Sequence, residues 1–183
     1  MIDPKIRKFI ESQSDRVKGF EKIGMPKKGD QIMIVSDESF NALTFLMYIT
    51  KNDKQIDELI LSFYSFNMKA MEFLEMLIDQ NVVKKLYFQI SDLRKYGSDA
   101  QIPRKLSNMI KKFGSDRIAG SFINSHAKVM ICNTNNNFYV IEGSGNISSK
   151  STGEEQYLIE ESEPSYNFHK EWIINNIKNQ VIK

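Results

Sequence analysis

The sequence predicts a mixed α/β fold, a central β-sheet that is parallel in part and flanked by helices. Three observations lead there. Strand-like apolar runs alternate with helical patterns through residues 31–91, and after residue 117 the rhythm changes to four strand-like runs in succession. The chain, at 183 residues and 41% hydrophobic, is also long enough for one substantial core. Alternation argues for crossover units that join parallel strands. Consecutive strands argue for antiparallel neighbours added to that parallel part.

Residues 1–30 carry mixed charge and end in GMPKKGD, which reads as a helix followed by a linker, leaving residues 31–183 as the main domain. QIMIVSD (31–37) reads as a strand and SFNALTFLMYITK (39–51) as a helix with Ser39 placed to cap it. ELILSFYSF (58–66) reads as a buried strand in which Phe63, Tyr64 and Phe66 serve core or sheet packing. NMKAMEFLEMLIDQN (67–81) reads as a helix whose Met71, Leu74, Leu77 and Ile78 fall on one face, and KKLYFQIS (84–91) as a strand. A helix over 103–114 begins near Pro103, ends at Gly114 and buries Leu106, Met109, Ile110 and Phe113. RIAGSFI (117–123), HAKVMIC (126–132), FYVIEG (138–143) and EEQYLIEE (154–161) read as the four strands. EPSYNFHKEWIINNIKNQ (163–180) closes the chain as a helix with Phe168, Trp172, Ile173 and Ile177 inward and His169 on its surface. No internal repeat is visible.

Lysines and arginines number 25 against 23 acids, so any attraction for a polyanion must come from clustering. One cluster exists: Arg104, Lys105, Lys111 and Lys112 share one side of the 103–114 helix. It is either a solvated face or a nucleic-acid contact. The single Cys132 lies in an apolar run and reads as a buried free thiol, which favours a reducing compartment. The N-terminal residues have no apolar core of signal-peptide length, and no segment reaches the ~18 apolar residues of a membrane span. The expected setting is cytoplasmic. Two distant histidines and one cysteine make a poor metal-ligand set, and no cofactor is expected.

The chemistry concentrates in SHAKVMIC (125–132) and EGSGN (142–146). On a strand, residues two apart share a face, so His126 and Lys128 can address one anion. The Asn-rich turn after Cys132 reads as a hairpin turn that returns Gly143 to Asn146 to the same end of the sheet. A neutral imidazole can attack phosphorus, while Lys128 and Asn146 hold the non-bridging oxygens. Ser144 and Ser148 either donate to a phosphate or shape the turn.

This H-x-K followed by G-S-x-N resembles the phospholipase D superfamily, whose signature is H-x-K-x4-D-x6-G-S-x-N or close variants. Two positions differ from it. Asn133 stands where the signature has aspartate, and residues 134–142 make nine rather than six before Gly143. The resemblance implies a phospholipase D-like fold and metal-independent phosphodiester hydrolysis through a phosphohistidine on His126. It implies a carboxylate from a strand beyond G-S-x-N that orients the imidazole: Glu155 fits best, with its neighbour Glu154 left open and Glu142 a third candidate. It also implies a homodimer with a composite site, since the family uses two H-x-K motifs and this chain has one. Nucleic acid, DNA or RNA, is the expected substrate and partner, which makes the chain a nuclease. The rivals are a phospholipase or phosphatidyl transferase, and a catalytically silent nucleic-acid-binding module.

Overall fold

The computed structural model describes residues 20–36, 42–91, 101–147 and 155–179. In chain order the elements are β1 (Gln31–Ser36), α1 (Ala42–Asp53), β2 (Ile56–Phe63), α2 (Met68–Asp79), β3 (Val83–Ser91) and α3 (Gln101–Phe113). There follow β4 (Ile118–Ile123), β5 (Lys128–Asn133), β6 (Phe138–Gly143), β7 (Glu155–Glu161) and α4 (Glu163–Asn179). The strands form one seven-stranded sheet in the order β1-β7-β6-β5-β2-β3-β4. β2, β3 and β4 are parallel, and every pairing among β2, β5, β6, β7 and β1 is antiparallel. The expected mixed sheet is therefore present. The expected helix cap Ser39 and the candidates Ser148 and Glu154 lie outside the described residues.

One expectation about topology needs correction. RIAGSFI is not an antiparallel addition: β4 pairs parallel with β3, reached by a crossover through α3. The antiparallel part begins only at β5, which crosses back to pair with β2.

Strand parity divides the sheet residues between two cores. Leu59, Leu61, Leu86, Phe88, Met130, Cys132, Tyr139, Ile141 and Ile159 meet the apolar faces of α1, α2 and α3 in the larger core. Each fully buried side chain of this size stabilises the fold by about 1.5–3 kcal/mol before entropy is counted. The expected stripe on α2 is the buried one, and Asn67 caps that helix by accepting from the Ala70 amide at 2.8 Å. Phe20 also enters this core, edge-on to Phe45 and Tyr48, and Lys28 bridges to Glu161 on β7, so residues 20–30 pack with the sheet. Cys132 is buried and free, and burial pushes its thiol well above the ordinary range.

Among the described residues, α4 is the helix that covers the second face. Ile60, Val129, Ile131 and Val140 pack there against Tyr166, Ile173 and Ile177. α4 spans β6, β5, β2, β3 and β4 but leaves β1 and β7 open on this side. Met33 and Val35 of β1 are consequently 84% and 65% exposed. Of the stripe expected on α4, Ile173 and Ile177 are buried and Trp172 packs partly buried against the same core, while Phe168 points out at 66% exposure and Tyr166 and His169 are buried instead. Two overlapping apolar series run along this helix, and the sheet selects the one whose Tyr166 hydroxyl can donate to Glu58. His169 is thus an inward residue, not a surface one.

Gln89 ties this layer together. Its Nε2 donates to Ser62 Oγ at 2.8 Å, and its Oε1 accepts from Asn176 Nδ2 of α4 at 3.1 Å. Asn176→Ala would leave a fully buried amide oxygen without its donor, at a cost of about 1–3 kcal/mol. Urea unfolding should show a loss in that range with the m-value preserved; a change under ~0.5 kcal/mol would mean that the bridge contributes nothing.

Candidate active site

Strand direction decides where the motifs meet. β2, β3, β4 and β6 end, and β5 and β7 begin, along one edge of the sheet. In sheets with parallel strands this carboxyl edge is where loops diverge and ligands bind. His126 and Lys128 at the start of β5, Gly143 to Asn146 after β6, and Glu155 at the start of β7 all fall there. Val129 pairs with Glu142, so the H-x-K and G-S-x-N segments sit side by side.

β5 begins only at Lys128, so His126 lies in the irregular segment before the strand rather than on it. The two side chains nevertheless line one cavity of about 570 Å³, together with Glu142, Gly143, Ser144 and Tyr157. His126 stacks on Tyr64 with ring centroids 4.5 Å apart and planes inclined by 28°. Lys128 Nζ lies 5.9 Å from the centre of the same ring and donates to the His126 carbonyl at 3.1 Å. Tyr64 was expected in the core with Phe63 and Phe66. Those two are buried, but Tyr64, one residue past β2, forms a platform beneath the H-x-K segment. Its position directly after a strand that pairs with β5 was the available signal.

The glycines of G-S-G-N are demanded by close approach. A Cβ on Gly143 would strike the Gln156 carbonyl and the Tyr157 ring, and one on Gly145 would strike the Tyr157 hydroxyl and the Glu155 carboxylate. Ser144 is held in the turn: its Oγ accepts from the Gln156 amide and its own amide donates to the Gln156 carbonyl, both at 2.9 Å. Asn146 Oδ1 accepts from the Ser65 amide at 3.2 Å, which anchors that end of the side chain and leaves Nδ2 as its donor.

Glu155 lies against Gly145 and accepts from the Tyr157 hydroxyl. Burial and this carboxylate push the Tyr157 phenol far above its ordinary range, so it stays a donor at neutral pH. Among the described residues no hydrogen bond joins Glu155 to His126. Glu142 is engaged elsewhere, by His169 Nε2, whose other ring nitrogen accepts from Trp172 Nε1 at 3.2 Å. The pairing of Glu142 with His169 was not legible, because His169 reads from the sequence as a helix-surface residue.

The basic helix stands apart from this edge. α3 packs in the larger core against α2, and none of its residues lines the cavity. Lys105 pairs with Glu75, and Lys112 lies 3.4 Å from Glu75 and 3.1 Å from Asp79, with the Asp79 bond raising the Lys112 ammonium above its usual range. Arg104 and Lys111 remain exposed.

No protein-family model matches this sequence, and none of the curated proteins does. Solved structures do share its fold. The phospholipase D family member Nuc from Salmonella typhimurium superposes with a TM-score of 0.55 at 19% identity, over 84% of this chain and 97% of that one. Phosphatidylserine synthase from Haemophilus influenzae gives 0.57 at 13% identity, over 83% of this chain and 39% of that one. TrmBL2, an archaeal chromatin protein with a novel mode of DNA binding, gives 0.53 at 9% identity, over 96% and 63%. The chain therefore has a phospholipase D-like fold, one on which phosphodiester and phosphotransfer chemistry is carried by other proteins.

The two glycines should differ in their tolerance. At Gly143 the obstacle includes backbone, so Gly143→Ala should cost about 1–3 kcal/mol by overpacking. At Gly145 only the ends of two side chains must move, and Gly145→Ala should cost less. Urea titration of both variants checks this; a larger loss at Gly145 would contradict the packing described.

Proposed function

We propose that this chain is a phosphodiesterase acting on nucleic acid, with His126 as nucleophile and two copies of the chain forming one composite site. The observation that carries the proposal is the convergence of His126, Lys128, Gly143 and Ser144 on one cavity at the carboxyl edge, with Asn146 next in the same turn. In the first step an imidazole nitrogen of His126 attacks phosphorus and the bond to the leaving oxygen breaks. That oxygen takes a proton from a second imidazole. In the second step the second imidazole removes a proton from water, whose oxygen displaces His126 from phosphorus. Lys128 meets the charge on the non-bridging oxygens, and the Asn146 amide supplies a further donor. Tyr64 holds the His126 ring in place by stacking. Glu155 backs the turn through Tyr157.

DNA or RNA is preferred because the only phosphate recognition needed at the cavity is of a diester, and because a protein of the same fold, TrmBL2, binds DNA. Exposed Arg104 and Lys111 supply backbone attraction at a distance from the cavity. A lipid phosphodiester is the second reading, favoured by the apolar strip of Met33, Val35 and Leu158 that borders the same cavity. We assign that strip to the second copy of the chain, because an apolar patch beside a half-complete site is what a self-complementary interface would cover.

His126→Ala and Lys128→Ala should each lower hydrolysis of bis(p-nitrophenyl) phosphate by at least ~10²-fold with the fold intact, the scale of losing one charge-stabilising contact. Activity should persist in excess EDTA. Either variant acting within about threefold of wild type, or loss on chelation reversed by Mg²⁺, would remove the assignment. Single-stranded DNA, RNA and phosphatidylcholine, tested side by side, separate the two substrate classes.

Light scattering on an eluting peak should give twice the chain mass, and specific activity should fall on dilution. Met33→Glu and Val35→Glu should both shift the protein toward monomer. A monomer of constant specific activity would refute the composite site.

A further inference from the structure

We propose that His169 is a positioning residue for the anion site: it holds the Glu142 carboxylate against α4, so that this carboxylate does not swing further into the cavity that takes the phosphate. The inference rests on the phosphodiester reading of the cavity. Its basis is the placement of Glu142. Along one row of the sheet, Met33 of β1 pairs with Leu158 of β7, Leu158 with Glu142 of β6, and Glu142 with Val129 of β5. Directly paired residues point to the same face. A carboxylate thus stands in a row of apolar side chains, on the strand end that leads into G-S-G-N.

Glu142 also lines the cavity that His126 and Lys128 line, and its side chain is 42% exposed. A free carboxylate there would repel an anionic ligand. His169 prevents this from the other side. Its side chain, 11% exposed, donates from Nε2 to Glu142. The Trp172 indole donates to Nδ1 at 3.2 Å, which keeps the proton on the nitrogen that faces Glu142. Phe168 and Trp172 pack edge-on against the ring and hold its orientation. The arrangement is the second-layer hydrogen bonding that fixes a functional group's direction, here used to turn a carboxylate away from the ligand.

The test compares wild type with His169→Ala, His169→Gln and the double variant His169→Ala/Glu142→Gln. Two readouts are taken: the Kd for inorganic phosphate by calorimetry, and KM and kcat on bis(p-nitrophenyl) phosphate. His169→Ala should weaken phosphate binding and raise KM by about five- to tenfold, the scale of one like-charge interaction in a partly exposed site. Its kcat should change less than about twofold. His169→Gln keeps a donor near the Nε2 position and should retain most of the affinity. The double variant should return both values to near wild type, since the charge that needed holding is gone. An unchanged Kd in His169→Ala overturns the proposal. So does a loss that Glu142→Gln leaves uncorrected, because that would be a packing effect. The phosphate Kd decides the matter whether or not the diester is hydrolysed. Wild-type protein that binds phosphate through Lys128 but turns over nothing would remove the enzymatic reading alone, and wild-type protein that binds no phosphate would overturn both.

Discussion

The register of the β5–β6 hairpin is the constraint on which the site depends. Val129 opposite Glu142 sets Lys128 beside the glycines, and every other contact at the edge follows from that pairing. A slip of one residue would exchange the faces of β5. Met130 and Cys132 would leave the larger core, and Val129 and Ile131 would enter it in their place. Both faces of this strand are buried, so such a slip would repack both cores at once. The far end is pinned as well. Asp53, at the end of α1, accepts from Thr134 Oγ1 at 2.8 Å and from Asn137 Nδ2 at 3.3 Å, which ties the hairpin turn to a helix.

That geometry bears on the two positions where the chain differs from the phospholipase D signature. Asn133 is the last residue of β5, and the nine residues before Gly143 are the turn 134–137 and the body of β6. At ~3.3 Å per residue, five residues of strand separate Lys128 from Asn133 by about 16 Å. Asn133 therefore sits at the opposite end of the hairpin from His126 and the glycines. The turn at that end is anchored to Asp53 by Thr134 and Asn137. A degraded site would be expected to show its damage at the edge, where instead Gly143, Ser144, Gly145 and Asn146 each make a specific contact.

Much of this was legible because the core patterns are strong. The α2 stripe, the buried strand runs and the return of G-S-G-N to the H-x-K end all follow from apolar periodicity and one turn. What was illegible depended on choices between near-equal alternatives. On α4 the expected Ile173 and Ile177 face the sheet, but Phe168 and Tyr166 are near-equal candidates for the place before them, and it is Tyr166 that reaches Glu58 on β2. With that choice His169 moves from surface to interior. β4 was misread for a related reason: a helix separates it from β3 as surely as from any other parallel neighbour, but the unbroken run of strands that follows masks the crossover. The basic face of α3 was visible, while Glu75 and Asp79, which neutralise part of it, lie 30 or more residues away in sequence.

The burial of His169 also bears on how many copies of the chain a site requires. A phosphohistidine route uses two imidazoles, one to attack and one to protonate the leaving oxygen. The chain has two histidines in all. His169 donates from one ring nitrogen to Glu142 and accepts at the other from Trp172, so it could serve as the acid only by giving up a bond it holds within the fold. Its ring is also separated from the cavity by the Glu142 side chain that lines it. Within one chain, then, only His126 is available to a substrate. Under the proposed mechanism the second imidazole must come from outside the chain, and a second copy supplies it with the least added machinery. The open strip of Met33, Val35 and Leu158 lies along the cavity wall, on the face that α4 leaves uncovered. The helix that withholds one histidine from the site thus also leaves room beside it for a neighbour that brings another.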